Sequence, residues 1–131
     1  AQTHEGLGQR DTPAIHAFGQ QIKFLRKISQ EKIEERSGNI ATEIIEELQK
    51  IKDIYIFTSN ERSLRSAVVT FRPANLDPAK VVKALEEDGI VAANLGGEDW
   101  AGVRFSPHFY NSNNDVERAV GAIRRYSLKG L

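Results

Sequence analysis

The spacing of the apolar residues changes near residue 53, and this change constrains the fold more than any other feature of the chain. Before it, apolar side chains recur three and four positions apart in two segments, the spacing of helices with one buried face. In the first segment they are Ile15, Phe18, Ile22, Leu25 and Ile28. In the second they are Ile33, Ile40, Ile44, Leu48 and Ile51. The spacing predicts two leading helices, the second over roughly residues 31–52.

Both predicted helices carry local signals. Pro13 suits the first helical position, with Asp11 or Thr12 available as the cap. The pair Ser37-Gly38 interrupts the second pattern, and a glycine inside a helix costs about 1 kcal/mol relative to alanine. We nevertheless expect one long helix there, because the apolar face continues on both sides of the pair.

Beyond residue 53 the pattern consists of short runs bounded by turn residues. Runs rich in β-branched and apolar residues predict four strands, over residues 54–58, 67–72, 90–93 and 103–106. One further helix begins at Asp77-Pro78 and is expected to end at a left-handed Gly89. The last helix begins near Asn113 or Asn114 and is expected to fray near Ser127.

This order of elements defines a fold class. Two helices followed by strand, strand, helix, strand, strand and helix predict an α+β two-layer sandwich, with a mostly antiparallel sheet of about four strands packed with helices. The length of 131 residues suits one domain with its own core. We expect an N-terminal arm and helix over residues 1–29 and a small α+β domain over residues 30–131.

Composition excludes several classes of function. The 18 basic residues equal the 18 acidic ones, whereas nucleic-acid binding depends on a surplus of Lys and Arg. No apolar run approaches the roughly 20 residues of a membrane span. The absence of cysteine removes disulfides, thiolate nucleophiles and cysteine-ligated metals. Methionine is absent too, so we expect either a removed initiator or a fragment of a longer protein.

Several candidate sites have ordinary structural explanations. His4, His16 and His108 are scattered and none has a second ligand at helical or strand spacing, so we expect no metal site. Ser106 lacks the Gly-x-Ser-x-Gly context of a hydrolase nucleophile. The stretch 94–97 (NLGG) lacks the glycine spacing and the lysine of phosphate-binding loops, so a turn between strands explains it better.

Arg104 is the strongest candidate for a binding role. It lies mid-strand between Val103 and Phe105, so its side chain points to the opposite face of the sheet from these two. A guanidinium held there suits a carboxylate, although the residues alone favour the alternative of a solvated strand arginine. The following residues 107–111 (PHFYN) combine two aromatics, a histidine and an asparagine, which is typical of a loop beside a site or of a loop that anchors the last helix.

Two segments resemble a known family. The run 102–111 (GVRFSPHFYN), followed by Asp115-Val116, resembles the C-terminal signature of class V aminotransferases, which are pyridoxal-phosphate enzymes related to cysteine desulfurases and isopenicillin N epimerase. Residues 8–14 (GQRDTPA) are similar to the family's Gly-Thr-Arg-Asp stretch and the helix after it. The resemblance covers nearly all of this chain but only the C-terminal part of the family's length.

The resemblance implies a fold, a cofactor and site residues. It implies the C-terminal part of a fold-type I pyridoxal-phosphate enzyme, a cytoplasmic homodimer, with Arg104 binding the α-carboxylate of an amino-acid substrate. Gly8 and Gln9 match the pair that reaches the cofactor phosphate across the dimer, although Gln stands where many members have Thr. The Schiff-base lysine lies in a larger N-terminal domain that this chain lacks. We therefore expect no catalysis by this chain alone and no pyridoxal phosphate bound to it.

Two hypotheses follow. The first is a C-terminal domain fragment of such an enzyme, acting by transamination, epimerisation or sulfur elimination, whose first helix packs on the missing large domain. The second is a stand-alone α+β module that binds an amino acid without a cofactor or acts as a regulatory interaction domain, which is an analogy at the level of the fold. A purely structural role is a third alternative.

Overall fold

A computed structural model describes residues 11–97 and 99–131. The order of helices and strands is the predicted one, with a short 3-10 turn, Arg62–Leu64, between the first two strands. The elements are α1 Thr12–Ile28, α2 Gln30–Gln49, β1 Ile54–Ile56, β2 Val69–Pro73, α3 Pro78–Glu87, β3 Ala93–Leu95, β4 Gly102–Phe105 and α4 Asn113–Lys129. The chain divides into two compact units, residues 1–33 and 34–131.

Side-chain caps define where three helices begin. The carboxylate of Asp11 accepts a hydrogen bond from the amide of Ala14 at 3.0 Å, and that of Asp77 accepts one from Ala79 at 2.9 Å. Ser112 caps α4, and Asp115 reaches back to the Ser112 amide at 2.8 Å, which completes a capping box. Helix α4 therefore begins at Asn113, as predicted.

Helix α1 belongs to the first unit and buries none of its residues. Its apolar stripe is present as predicted but exposed, with Ile15 at 59%, Phe18 at 67% and Ile22 at 37% of their full accessibility. A helix with an amphipathic sequence and no buried side chain lacks the contact that usually supplies most of its stability.

Helix α2 runs through Ser37-Gly38 without a break, as predicted, but ends at Gln49 and not near residue 52. The early end has a local cause. The amides of Lys50 and Ile51 bond the carbonyls three residues back, which tightens the last turn, and Asp53 adopts a positive φ of 60°.

The four strands form one antiparallel sheet in the order β1-β2-β4-β3. In β2 the burial alternates, so that Val69 and Phe71 are buried while Thr70 and Arg72 are partly exposed. The sheet thus has one face on the core, and the fold is the predicted α+β sandwich. The core is built from α2, α3, α4 and that face, with the Phe71 and Phe105 rings 5.1 Å apart.

Strand β3 was predicted at residues 90–93 and lies instead at Ala93–Leu95. The end of α3 explains the shift. The amide of Gly89, at a φ of 74°, bonds the Glu86 carbonyl, and the amide of Ile90 bonds the Leu85 carbonyl. These two bonds form a Schellman motif. Because the amide of residue 90 is bonded within this helix cap, the strand begins further along the chain.

The other differences are smaller. Strand β1 ends at Ile56, and β4 begins and ends one residue earlier than predicted. Helix α4 continues to Lys129 and does not fray at Ser127, because its cap at Gly130 bonds the Tyr126 carbonyl at 2.9 Å.

Candidate functional site

Arg104 lies in the interior of the sheet, on β4 between β2 and β3. Its Cα partners are Thr70 and Ala93, and residues directly opposite in an antiparallel pair share a face of the sheet. Val103 and Phe105 are buried in the core, at 0% and 5% exposed, whereas Arg104 is half-buried. The structure therefore has the alternation that the sequence predicts, with Arg104 on the face away from the core.

The guanidinium of Arg104 lacks an anionic partner among the described residues. The ion pairs found in the described residues, 11–97 and 99–131, do not include Arg104. Its Nε is buried and has no hydrogen-bond acceptor in the same part of the chain. A buried donor without a partner costs about 1–3 kcal/mol, so a carboxylate bound to Arg104 would remove a real penalty.

Arg104 lines a cleft of about 520 Å³ in the second unit. Such a volume lies within the range of small-molecule sites. The cleft is bordered by residues 89–93 after α3, by residues 104–107 at the end of β4, and by the first turns of α4, with Ile40 and Ile44 of α2. Most of these side chains are apolar, and the charged ones are Arg104, Asp115 and Arg118.

The loop that follows β4 is fixed by Asn111. The side-chain oxygen of Asn111 accepts a hydrogen bond from the backbone amide of His108 at 2.8 Å. The backbone amide of Asn111 donates to the His108 carbonyl at 2.9 Å. Its carbonyl oxygen accepts from Nη2 of Arg36, on α2, at 2.9 Å. The loop is thereby tied to itself and to a helix 75 residues earlier in the chain.

An aromatic cluster lies on this loop. The rings of His108 and Tyr110 stack with centroids 4.2 Å apart and planes inclined by 30°, and the Phe109 and His108 centroids are 4.5 Å apart. Tyr110 also lines the cleft, together with Asn111. The unusual composition of residues 107–111 thus belongs to a wall of the cleft.

Asp115 adds a negative charge to the lining of the cleft. Hydrogen bonds from the backbone and then the hydroxyl of Ser112 lower the pKa of the Asp115 carboxyl below its usual value, with smaller effects from Asn111 and Arg118. The cleft therefore contains a carboxylate as well as the two arginines at neutral pH.

The remaining sequence candidates lie elsewhere. Gly8, Gln9 and His4 fall outside the described residues. His16 is on α1, where its ring nitrogen bonds Gln20 at 3.3 Å. In the described ranges no three His, Asp or Glu side chains are arranged to hold a metal ion. Gly97, with a φ of 141°, lies in the connection between β3 and β4, as the turn prediction requires.

Sequence reasoning did not assign a role to two of the residues at this site. Arg36 has no local signal, since its partner is on a loop far along the chain. Arg118 appears on α4 as an ordinary exposed charge, and its contact with the Asp88 carbonyl at 3.2 Å is again long-range. The capping pattern of Ser112 and Asp115 was readable, because their spacing is that of a capping box.

The fold is that of the C-terminal part of fold-type I pyridoxal-phosphate enzymes, since solved structures of such enzymes match most of this chain. The sequence model of the aminotransferase class-V family matches residues 7–119. The chain belongs to the aminotransferase class-V family. Members of this family depend on pyridoxal phosphate in general.

Three solved structures illustrate the likeness. A cysteine desulfurase from Thermococcus onnurineus NA1 is 24% identical, with a TM-score of 0.74 over 84% of this chain and 29% of its own. The cysteine desulfurase CsdA of Escherichia coli is 21% identical, with a TM-score of 0.80 over 95% of this chain and 32% of its own. A NifS-like protein from Rickettsia africae is 17% identical, with a TM-score of 0.77 over 90% of this chain and 35% of its own.

These matches concern the fold and about a third of each enzyme's length. None of the curated proteins matches the chain. Among the described helices, none combines the length and the apolar character that crossing a bilayer requires.

The cleft does not fit the cofactor itself. None of its lining residues is a lysine, so within the described residues it offers no amine for a Schiff base. Its donors suit an anionic group of modest size, and its walls suit apolar atoms.

Proposed function

We propose that this chain is the C-terminal small domain of a pyridoxal-phosphate enzyme that acts on an amino acid by transamination, epimerisation or sulfur elimination. The intact enzyme is a cytoplasmic homodimer whose N-terminal large domain carries the Schiff-base lysine. By itself the chain binds no cofactor and is not catalytic. Gly8 and Gln9 reach the cofactor phosphate of the partner subunit.

In this proposal Arg104 binds the α-carboxylate of the substrate. One observation carries the assignment: Arg104 lines the cleft with a buried Nε that lacks a protein acceptor among the described residues. The planar guanidinium matches a carboxylate with two parallel hydrogen bonds, which fixes the orientation of the bound amino acid. Membership in the family supports the same role.

The test is Arg104→Ala in the intact enzyme. Loss of a charge-assisted contact worth about 1.5–3 kcal/mol should raise the Michaelis constant for the amino acid roughly tenfold to a hundredfold. The absorbance of the bound cofactor should stay unchanged. Arg72→Ala is the matched control, because Arg72 lies on the same face of the sheet, bonds the Asp99 carbonyl at 3.4 Å and does not line the cleft. Equal Michaelis constants for the two variants would remove Arg104 from the site.

One observation favours the second hypothesis, a stand-alone module that binds an amino acid without a cofactor. The cleft lies wholly within residues 34–131, which form a compact unit with their own core. Equilibrium dialysis of the isolated chain with L-amino acids tests it. Binding that disappears with Arg104→Ala would support the module, and absence of binding by the unaltered chain would reject it.

A further inference from the structure

Tyr110 is an aromatic residue exposed beside the candidate carboxylate site. It is 73% exposed, although it lines the same cleft as Arg104. Large apolar rings left open in a cleft are common where a ligand completes their burial. The hydroxyl of Tyr110 forms no hydrogen bond with another described residue, so no such bond explains the position of the ring.

The position of the Tyr110 ring is held by its surroundings. One face stacks on His108, whose amide is bound by the side chain of Asn111. Arg36 ties the same loop to α2 through the Asn111 carbonyl. A ring that is already supported loses little conformational freedom when a ligand packs against it, which makes it an efficient contact surface.

The chemistry of the cleft indicates what packs against this ring. Away from the three charged side chains the lining includes Val91, Ala92 and Ala119, which offer no polar side-chain group. A ligand anchored at Arg104 by its carboxylate therefore meets an apolar surface and an aromatic ring. The volume of about 520 Å³ leaves room for a large side chain.

We infer that Tyr110 is a specificity residue that contacts the substrate's side chain and favours an amino acid with an apolar, ring-bearing side chain. Asn111 and Arg36 are positioning residues, which act by holding the loop that presents Tyr110. The inference rests on the proposed role of Arg104, because that contact places the amino acid in the cleft.

The experiment measures dissociation constants of L-phenylalanine, L-alanine and L-cysteine for the intact protein and its variants. The unaltered protein should bind L-phenylalanine most tightly. Tyr110→Ala should reduce the preference for L-phenylalanine over L-alanine about threefold to tenfold, the usual worth of an aromatic pair. Tyr110→Phe should retain the preference.

A second pair of variants tests the positioning role. Asn111→Ala removes the acceptor of the His108 amide and should reduce the preference in the same direction as Tyr110→Ala. Asn111→Asp keeps an oxygen at that place and should restore it. The proton resonances of the His108 ring give a readout without ligand, since they should lose the ring-current shift from Tyr110 in Asn111→Ala and keep it in Asn111→Asp.

The two proposals fail in different ways. A preference that survives Tyr110→Ala, or an unaltered protein that binds L-cysteine or L-alanine more tightly than L-phenylalanine, overturns the role of Tyr110. Unchanged binding of all three amino acids by Arg104→Ala overturns the carboxylate site instead. A reduced preference for L-phenylalanine over L-alanine in Tyr110→Ala, together with a retained preference in Tyr110→Phe, supports the inference.

Discussion

Gly38 is subject to two opposing requirements, the helix propensity of α2 and the space needed by a neighbouring arginine side chain. It lies on the buried side of α2, in a helix interior where alanine would be better by about 1 kcal/mol. A Cβ atom at this position would overlap the guanidinium of Arg62. That guanidinium donates to the carbonyls of Glu34 and Glu35, both at 3.3 Å. A glycine at position 38 therefore lowers the helix propensity of α2 but leaves space for Arg62, in the turn before β2, to contact the helix.

We predict that Gly38→Ala and Arg62→Ala are coupled. In the unaltered protein Gly38→Ala should change the free energy of unfolding little, because the gain in propensity offsets the displaced arginine contacts, worth about 1 kcal/mol net. In an Arg62→Ala background the same change should stabilise by about 1 kcal/mol. Urea denaturation of the four proteins measures the coupling.

Gly121→Ala in α4 is the matched control for this cycle. Apart from its chain neighbours and the adjacent backbone of α4, no described atom lies within 4 Å of the position of its Cβ, so the substitution should stabilise equally with and without Arg62. If Gly38→Ala behaves like Gly121→Ala in both backgrounds, the arginine does not explain the glycine.

Polar side chains near the C-terminal ends of α3 and α4 connect the two helices. The hydroxyl of Tyr126, which is 7% exposed, donates to the Ala84 carbonyl at 3.0 Å and also contacts the carboxylate of Asp88. Arg125 forms an ion pair with the same carboxylate. Burial, followed by the hydrogen bond and charge of Asp88, raises the pKa of Tyr126 to about 12.

This shift predicts a loss of stability at high pH. The folded pKa of Tyr126 lies above the ordinary value of 10.0, so its contribution is complete below pH 10 and is lost as the pH rises to about 12. Denaturation midpoints measured across this range should fall for the unaltered protein and fall less for Tyr126→Phe. Tyr110→Phe, at an exposed position, should follow the unaltered protein. Parallel curves for all three would show that Tyr126 is not the group responsible.

The helix caps were predicted correctly, because they depend on residues that are close together in the sequence. Asp11, Asp77 and Gly89 act as caps where their residue types indicate, because capping involves neighbours within a few positions. The position of β3 was not predictable from its composition. Residues 90–93 are all apolar, and the cap of α3 determines that only Ala93 among them pairs with β4.

In the candidate site, too, some features are predictable from the sequence, whereas others depend on long-range contacts. Alternation along β4 predicts the face on which Arg104 lies, and the family resemblance predicts its class of ligand. The contact of Arg36 with Asn111 joins residues 75 positions apart, and no periodicity or spacing encodes it. Candidate binding residues can therefore be identified in the sequence, whereas the side chains that position them are identified only from the fold.

Helix α1 determines how the whole chain should behave in solution. Its stripe exposes Ile15, Phe18 and Ile22, and none of the residues of the helix is buried in the part of the chain that the structure describes. An exposed apolar stripe of this kind is an interaction surface, which in the proposed enzyme packs on the large domain. The isolated chain should cover it by association with other copies.

Sedimentation velocity over a range of concentrations tests this expectation. The unaltered chain should show a sedimentation coefficient that rises with concentration, and Phe18→Ser should reduce the rise. Phe24→Ser is the matched control, because Phe24 is 55% exposed on the same helix but lies about 120° around its axis from Phe18. The two substitutions therefore cost the same helix propensity. Association that both variants weaken equally would mean that exposed rings in general, and not the stripe, drive it. A chain that stays monomeric at all concentrations would contradict the prediction, since its apolar stripe would then be stable in water.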